Sequence, residues 1–275
     1  MNHRAPPRML RLLAHSAVFG TALLMLVPFA WMALTSLKSD TEALSGSGLL
    51  PADYRWENYT AAWTSAGLHR YYINSILVAV FTTLLGVSYN ALAGYAFAKL
   101  RFRGRRVLLG TTLATMLMPP SVYFVLAYVL CARLGLVDNL PALIVPFIAS
   151  GFGILYMRQA IRAVPDDAIE AGRLDGMNEA DIFWHVVRPA IAPPLAALAV
   201  ITFMNSWNSF FWPLVMIDRD RFRTLPLALA DLASGQYVQS WPVRMAAAMI
   251  LTAPPVIVFI TFQRAFLRGF ALPHT

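Results

Sequence analysis

Pro165-Asp166-Asp167-Ala168-Ile169-Glu170-Ala171-Gly172-Arg173-Leu174-Asp175-Gly176 runs directly into Met177-Asn178-Glu179-Ala180-Asp181-Ile182-Phe183-Trp184-His185-Val186-Val187-Arg188-Pro189, with long apolar segments on either side. Six of the chain's fourteen carboxylates lie here: Asp166, Asp167, Glu170, Asp175, Glu179 and Asp181. Pro165 suits the first turn of a helix, where its missing N–H would be unpaired anyway, and Asp166 and Asp167 favour the positive end of the helix dipole. Gly176 stands where a left-handed closing residue is wanted, and Asn178 is placed to cap a second helix over residues 179–187. The stretch therefore reads as helix, glycine bend, helix. In the second helix Ala180, Phe183, Trp184 and Val187 recur at i, i+3, i+4 and i+7, predicting one apolar face bordered by Glu179, Asp181 and His185. Pro189 ends it.

The flanking segments set the context. The chain has 275 residues of which 58% are hydrophobic, with a mean hydropathy of +0.58, values that belong to membrane proteins. Six windows, 12–34, 73–98, 107–130, 140–157, 191–217 and 245–267, carry no Lys, Arg, Asp or Glu except Arg264 near the last boundary. Most reach the ~20 apolar residues that a bilayer core requires. The expected fold class is an all-α membrane protein of six transmembrane helices. The start of the chain has the look of a secretory signal, but its apolar run exceeds a signal core and is read as a retained first span.

The net charge of +8 does not point to nucleic acid once its distribution is followed. Alternating the six windows across the membrane puts fourteen of the 22 Lys and Arg on the side of residues 1–11, 99–106, 158–190 and 268–275, counting Arg264 at the last boundary. The longer segments 35–72 and 218–244, with the short connection around Arg133, hold the rest. Lys99, Arg101, Arg103, Arg105 and Arg106 form the tightest group, and short basic loops stay inside. Both termini are expected in the cytoplasm, which makes the acidic helix pair cytoplasmic. An anionic inner leaflet rewards Lys and Arg, so six acids in one loop fit a protein groove better than lipid headgroups.

Within the windows, Pro119-Pro120 is expected to interrupt the third span and Pro254-Pro255 the sixth, both facing the bundle interior, where freed carbonyls find partners. Gly94, Ala96 and Ala98 in the second span and Ser150, Gly151 and Gly153 in the fourth permit close helix contact. Thr202, Asn205, Ser206 and Ser209 fall at i, i+3, i+4 and i+7 and give the fifth span one polar face. Interhelical hydrogen bonding and pore lining both account for that stripe. Between residues 36 and 70, Tyr54, Trp56, Tyr59 and Trp63 read as a membrane-interface belt on a partly helical external segment.

Glu170-Ala171-Gly172, Gly176 and Val186-Val187-Arg188-Pro189 resemble the motif of ABC-importer permeases: Glu-Ala-Ala, three residues, Gly, nine residues, Ile-x-Leu-Pro. Gly172 replaces the second Ala and Arg188 the Leu. Ala93-Gly94-Tyr95-Ala96-Phe97-Ala98-Lys99-Leu100-Arg101-Phe102, Trp207-Asn208-Ser209-Phe210-Phe211-Trp212-Pro213-Leu214, Thr224-Leu225-Pro226 and Met245-Ala246-Ala247-Ala248 are similar to the carbohydrate, maltose-type branch. The resemblance implies a type I ABC importer permease fold over about residues 70–268 and an inner-membrane location. It also implies a cytoplasmic ATPase dimer docking on the loop, a second homologous permease making a heterodimer, and an extracytoplasmic solute-binding protein. The coupling residues would be Glu170, Ala171, Gly172, Asp175, Gly176, Phe183, Trp184 and Pro189, with Phe183 and Trp184 filling the ATPase groove. The solute would be a sugar or a related compound.

No cofactor is expected on this chain; ATP and Mg would sit on the partner ATPase. A Gly-rich phosphate loop followed by Lys and Ser or Thr is missing from the sequence, and the two lysines are Lys38 and Lys99. The windows hold no central acid or base of the kind ion-coupled transport uses. An ATP-independent facilitator or channel is the alternative, since the polar face of the fifth span would suffice for it. An intramembrane enzyme finds no support: His15, His69 and His185 are scattered and no metal-ligand spacing occurs. The single cysteine, Cys131, excludes an internal disulfide.

Overall fold

The structure, a computed structural model, describes residues 8–46, 48–64, 67–233 and 240–270. Among these the chain is helical and holds no strand. The first seven residues and residues 271–275, expected at the two cytoplasmic ends, lie outside the described residues. The elements, in order, are α1 (Arg8–Thr35), α2 (Asp40–Ser45), α3 (Glu57–Thr64), α4 (Leu68–Lys99), α5 (Arg105–Leu117), α6 (Pro120–Arg133) and α7 (Pro141–Ile144). There follow α8 (Gly151–Arg162), α9 (Asp166–Leu174), α10 (Glu179–Ile182), α11 (Arg188–Ala190), α12 (Ala192–Trp207), α13 (Phe211–Met216), α14 (Leu225–Ala233) and α15 (Trp241–Phe270).

His15–Thr35, Leu68–Lys99 and Trp241–Gln263 are each long and apolar enough to cross a membrane. Three bent helix pairs raise the number of spans to six if each is one span: α5 with α6 at 112°, α7 with α8 at 46°, and the α10–α11 stretch with α12 at 84°. The third window breaks where expected, because Pro119 caps α6 and Pro120 opens it, but Pro119 is exposed and not turned to the interior expected of it. The fourth also breaks: Pro146 lies in a short 3₁₀ turn, and Ser150 caps a fresh helix by accepting the Gly153 N–H at 3.2 Å. That helix continues to Arg162. The sixth corrects the sequence reading, since α15 stays continuous through Pro254 and Pro255. Two missing N–H groups leave most of a thirty-residue ladder intact, and without competing water the remaining bonds hold the helix together. Pro254 is nevertheless buried, on the inward side expected of it.

The chain divides into two compact units, residues 1–68 with 229–252 and residues 69–228 with 253–275. In the first, the segment after α1 is tied into a fixed shape. Ser39 and Glu42 form a capping box, and Glu42 also accepts the Ala52 N–H at 2.8 Å. The Asn58 amide donates to the Ser36 and Lys38 carbonyls at 2.8 and 2.9 Å, and Lys38 Nζ donates to Gly48 O at 2.7 Å. Tyr54 and Trp56 are left exposed on it.

In the second unit α4 and α8 cross closely at Gly94. A Cβ there would lie 2.8 Å from both Arg158 N and Met157 Cβ, so only glycine allows this approach. One turn away Asn90 donates to Gly86 O at 2.7 Å and Ile148 O at 3.2 Å and accepts the Ser150 N–H at 3.0 Å. Two apolar clusters result. One gathers Tyr95, Met157, Ile161, Ile169, Ile182, Phe183 and Val187 under the acidic loop. The other gathers Val78, Ala127, Cys131, Leu143, Trp212 and Met216, with the Trp212 indole N–H donating to Ala142 O at 2.9 Å.

A projecting acidic helix pair and a neutral cavity

The loop folds as helix, bend, helix, and its bend has a complete set of closing bonds. Gly176 adopts φ +79°, its N–H donates to Arg173 O at 3.1 Å, and the Met177 N–H reaches back to Gly172 O at 3.0 Å. These two bonds satisfy the last carbonyls of α9 in the Schellman pattern, with Met177 folding back over Gly172. Asn178 Oδ1 then accepts the Ala180 and Asp181 N–H groups at 2.9 and 3.0 Å and caps α10. Pro165 sits at the cap of α9, one residue before the expected first turn.

Gly172 is buried at the contact between the two loop helices. An added Cβ would stand 3.3 Å from Ile182 Cγ1, a separation that a few tenths of an ångström of yielding accommodates.

The second helix departs from the predicted face. Residues 183–187 form a π turn, which advances the register so that Ile182, Phe183 and Val187 point inward. Ala180 and Trp184 do not join them. Phe183 is 5% exposed and packs on the Tyr95 ring at 5.5 Å, so it fills a groove of its own chain and not one in a partner. The wide turn lets Ile182 take the inward place that α-helical spacing had given to Trp184. Trp184 is exposed, with the Arg188 guanidinium 5.0 Å from its ring centre. Pro189 lies in α11, exposed, immediately before the 84° bend into α12.

On the outer face stand Glu170, Ala171, Asp175 and Gly176. Among them is a residue the sequence reading passed over: Leu174, 89% exposed at the end of α9. Its signal was available, since a leucine next to a glycine bend in a charged helix has no inward position left. Two ion pairs fix the loop, one tying it to α4 and one tying its two helices together. Lys99 Nζ meets Asp166 Oδ1 at 2.6 Å, and Arg173 meets Glu179 at 2.9 Å. The Lys99 ammonium holds the exposed Asp166 carboxyl below its ordinary range.

A cavity of about 630 Å³ opens elsewhere in the same unit. Thr202, Asn205, Ser206 and Ser209 all line it, joined by Thr82, Asn90, Thr115, Ser150 and Thr224. Aromatic surface from Tyr123, Phe124, Phe147, Phe152 and Trp212 adds to the wall, and among the described residues no Lys, Arg, His, Asp or Glu takes part. The Thr82 and Thr224 hydroxyls are buried and find no hydrogen-bond partner among the described residues. Trp207 turns away from this wall and packs between Tyr72 and Phe203. Hydroxyls and amides over apolar rings suit a neutral polar solute, since each can donate or accept without fixing a charge.

Residues 90–271 match the family described as binding-protein-dependent transport system inner membrane component. The chain belongs to that family. It is a non-catalytic, membrane-embedded permease of an ABC importer. The arabinooligosaccharides transport system permease protein AraQ of Bacillus subtilis is 30% identical over 252 residues, covering 90% of this chain and 89% of that protein. The diacetylchitobiose uptake system permease protein NgcG of Streptomyces coelicolor is 30% identical over 256 residues, covering 92% and 84%. A crystal structure of a bacterial ABC transporter that imports the acidic polysaccharide alginate superposes with a TM-score of 0.81 and 25% identity, over 96% of this chain and 99% of that one. The likeness extends across the permease, the loop and the cavity-lining helices included.

Proposed function

We propose that this permease carries a neutral sugar or short oligosaccharide into the cytoplasm. A separate ATPase dimer would drive it by pushing on residues 165–187. In this reading both termini and the acidic loop lie in the cytoplasm, and ATP and Mg stay on the ATPase. A second homologous permease completes the pore as a heterodimer, and an extracytoplasmic solute-binding protein delivers the solute. The six spans are the windows given above, with α11 and its bend turning the loop into the fifth.

The observation that carries the reading is Leu174, 89% exposed between acidic side chains on a helix pair otherwise rooted in its own core. A water-facing leucine that exposed gains about 1.5–3 kcal/mol on full burial, and a protein groove provides that burial. Glu170, Ala171, Asp175, Gly176 and Trp184, all exposed, would complete the docking face with it. Closure of the ATPase dimer would displace this rigid pair and turn the bundle between inward-open and outward-open arrangements. For the solute, the uncharged cavity wall favours a neutral compound, and the relatives AraQ and NgcG, whose names give oligosaccharide and diacetylchitobiose transport, favour a sugar. Family membership sets the facilitator alternative aside.

Cysteine crosslinking tests the reading. With Cys131 replaced by Ala, Leu174→Cys is expected to crosslink to a cysteine in the ATPase subunit encoded with the transporter, and to resist membrane-impermeant thiol reagents added outside intact cells. Labelling from outside, or no crosslink in an ATP-hydrolysing complex, overturns the docking assignment.

A further inference from the structure

Tyr95 and Lys99 lie one helical turn apart, so both side chains leave the same face of the last turn of α4. The Lys99 ammonium, on a side chain 7% exposed, donates to Val164 O and to Asp166 Oδ1, each at 2.6 Å. Val164 follows α8 and Asp166 opens α9, so one cation sits between the negative end of one helix and the acidic first turn of the next. The Tyr95 hydroxyl donates to Glu179 Oε2 at 2.5 Å while its ring packs on Phe183. Glu179 opens α10, and its other oxygen accepts from Arg173 of α9 at 3.0 Å. The opening residue of each loop helix is thus gripped by α4, a helix neither of them adjoins in sequence. Further along α4, Gly94 locks against the α8 backbone and Asn90, a cavity-lining residue, holds the cap of α8.

We propose that Tyr95 and Lys99 are positioning residues that make α4 the rod carrying loop displacement to the cavity wall. This rests on the reading that the loop docks the ATPase. Without the grip, a push on α9 and α10 reaches the bundle only through their covalent continuations into α8 and α12. With it, the same push moves α4 at Asn90, five residues before Tyr95. Tyr95 and Lys99 touch neither solute nor nucleotide; they act through Asp166, Glu179 and the Val164 carbonyl.

The test uses the assembled transporter, both permeases with ATPase and binding protein, in proteoliposomes, reading solute imported per ATP hydrolysed. Tyr95→Phe keeps the ring on Phe183 and removes the hydroxyl; Lys99→Met keeps the stem and removes the charge. Each is expected to lower the ratio by about tenfold, the scale of one lost charge-assisted hydrogen bond. Lys99→Arg, which can still pair with Asp166, is expected to restore most of it. Combining Tyr95→Phe with Glu179→Gln should cost little more than either alone. If Lys99→Met does not assemble, Asp166→Asn, whose side chain is 77% exposed, removes one end of the clamp without burying a new group. A merely structural tie lowers the yield of complex and leaves the ratio unchanged, and that result overturns the proposal. The Leu174→Cys crosslink separates the two readings: a crosslink with an unchanged ratio sinks only the clamp, whereas no crosslink in the unaltered loop sinks the docking assignment beneath it.

Discussion

Gly176 offers a graded perturbation of the proposed coupling loop. Its φ of +79° lies in the left-handed region, yet an added Cβ would meet no heavy atom within 4 Å. Substitution there is consequently a test of backbone strain with no steric clash mixed in. For an ordinary L-residue the left-handed conformation costs about 1–2 kcal/mol, so Gly176→Ala should destabilise the bend by about 1 kcal/mol. Asn tolerates that region better through local hydrogen bonding, and Gly176→Asn should cost about half as much. Proline fixes φ near about −65° and has no N–H. It therefore cannot adopt the observed conformation and removes the bond to Arg173 O. The total exceeds about 3 kcal/mol, enough to make the bent arrangement a minor state.

The assay is ATP hydrolysis stimulated by solute-loaded binding protein in the reconstituted transporter, beside uptake. The expected order is Gly, Asn, Ala, then Pro, with Ala reduced about fivefold at roughly 1 kcal/mol and Pro lacking stimulation altogether. Membrane insertion should be equal across the series, because the bend lies outside every apolar window. Full stimulation in Gly176→Pro refutes the claim that the bend positions the docking face. Equal loss in Asn, Ala and Pro refutes the assignment of the effect to φ.

Three further outcomes follow from local geometry. Gly94→Ala places a methyl 2.8 Å from Arg158 N and Met157 Cβ, so α4 and α8 must separate; thermal unfolding in detergent should show a loss of about 1–3 kcal/mol. Asp166 has its carboxyl pKa depressed by Lys99 from 3.8. Its contribution is therefore complete above the ordinary carboxylate range and disappears as pH falls through the lower folded value; carboxyl NMR of labelled protein should show that titration return to the ordinary range in Lys99→Met. Asn205→Asp puts a charge on the neutral cavity wall, and transport of a neutral sugar should fall about tenfold or more while binding-protein affinity, measured separately, stays the same.

The loop was legible in detail because its signals are local: a proline before two acids, a glycine at a closing position and an asparagine at a cap each act within one turn. The polar stripe of α12 was legible for a similar reason, since helical periodicity puts Thr202, Asn205 and Ser206 on one face, and that face lines the cavity; Ser209, expected on the same helix, lies past its end at Trp207 and reaches the cavity from the connection to α13. Two misjudgements arose where local rules met tertiary ones. The π turn at 183–187 shifts which residues face inward, and single-helix spacing assumes the ordinary repeat. Pro254 and Pro255 were given the helix-breaking power they have in water, but α15 runs through them. Tyr95 was visible only as part of a familiar segment and Lys99 only there and as a basic loop charge, because their partners Glu179 and Asp166 lie 84 and 67 residues away.

That grip changes the electrostatics of docking. Counted from sequence, the loop offers six carboxylates to a partner, but Asp166 and Glu179 are engaged by Lys99, Tyr95 and Arg173 within the chain. What remains without an ion pair among the described residues is Asp167, Glu170 and Asp175, all exposed, and the half-buried Asp181, in the same loop as the exposed Leu174. Charges at such a rim mainly steer encounter and weaken with salt, while a central apolar anchor sets the residence time. A partner groove that fits this surface has an apolar floor for Leu174 and a modest basic edge. Neutralising Glu170 should therefore slow docking in a salt-sensitive way, whereas Leu174→Ala should speed release at any ionic strength, and the reverse pattern would contradict the division of roles drawn from these exposures.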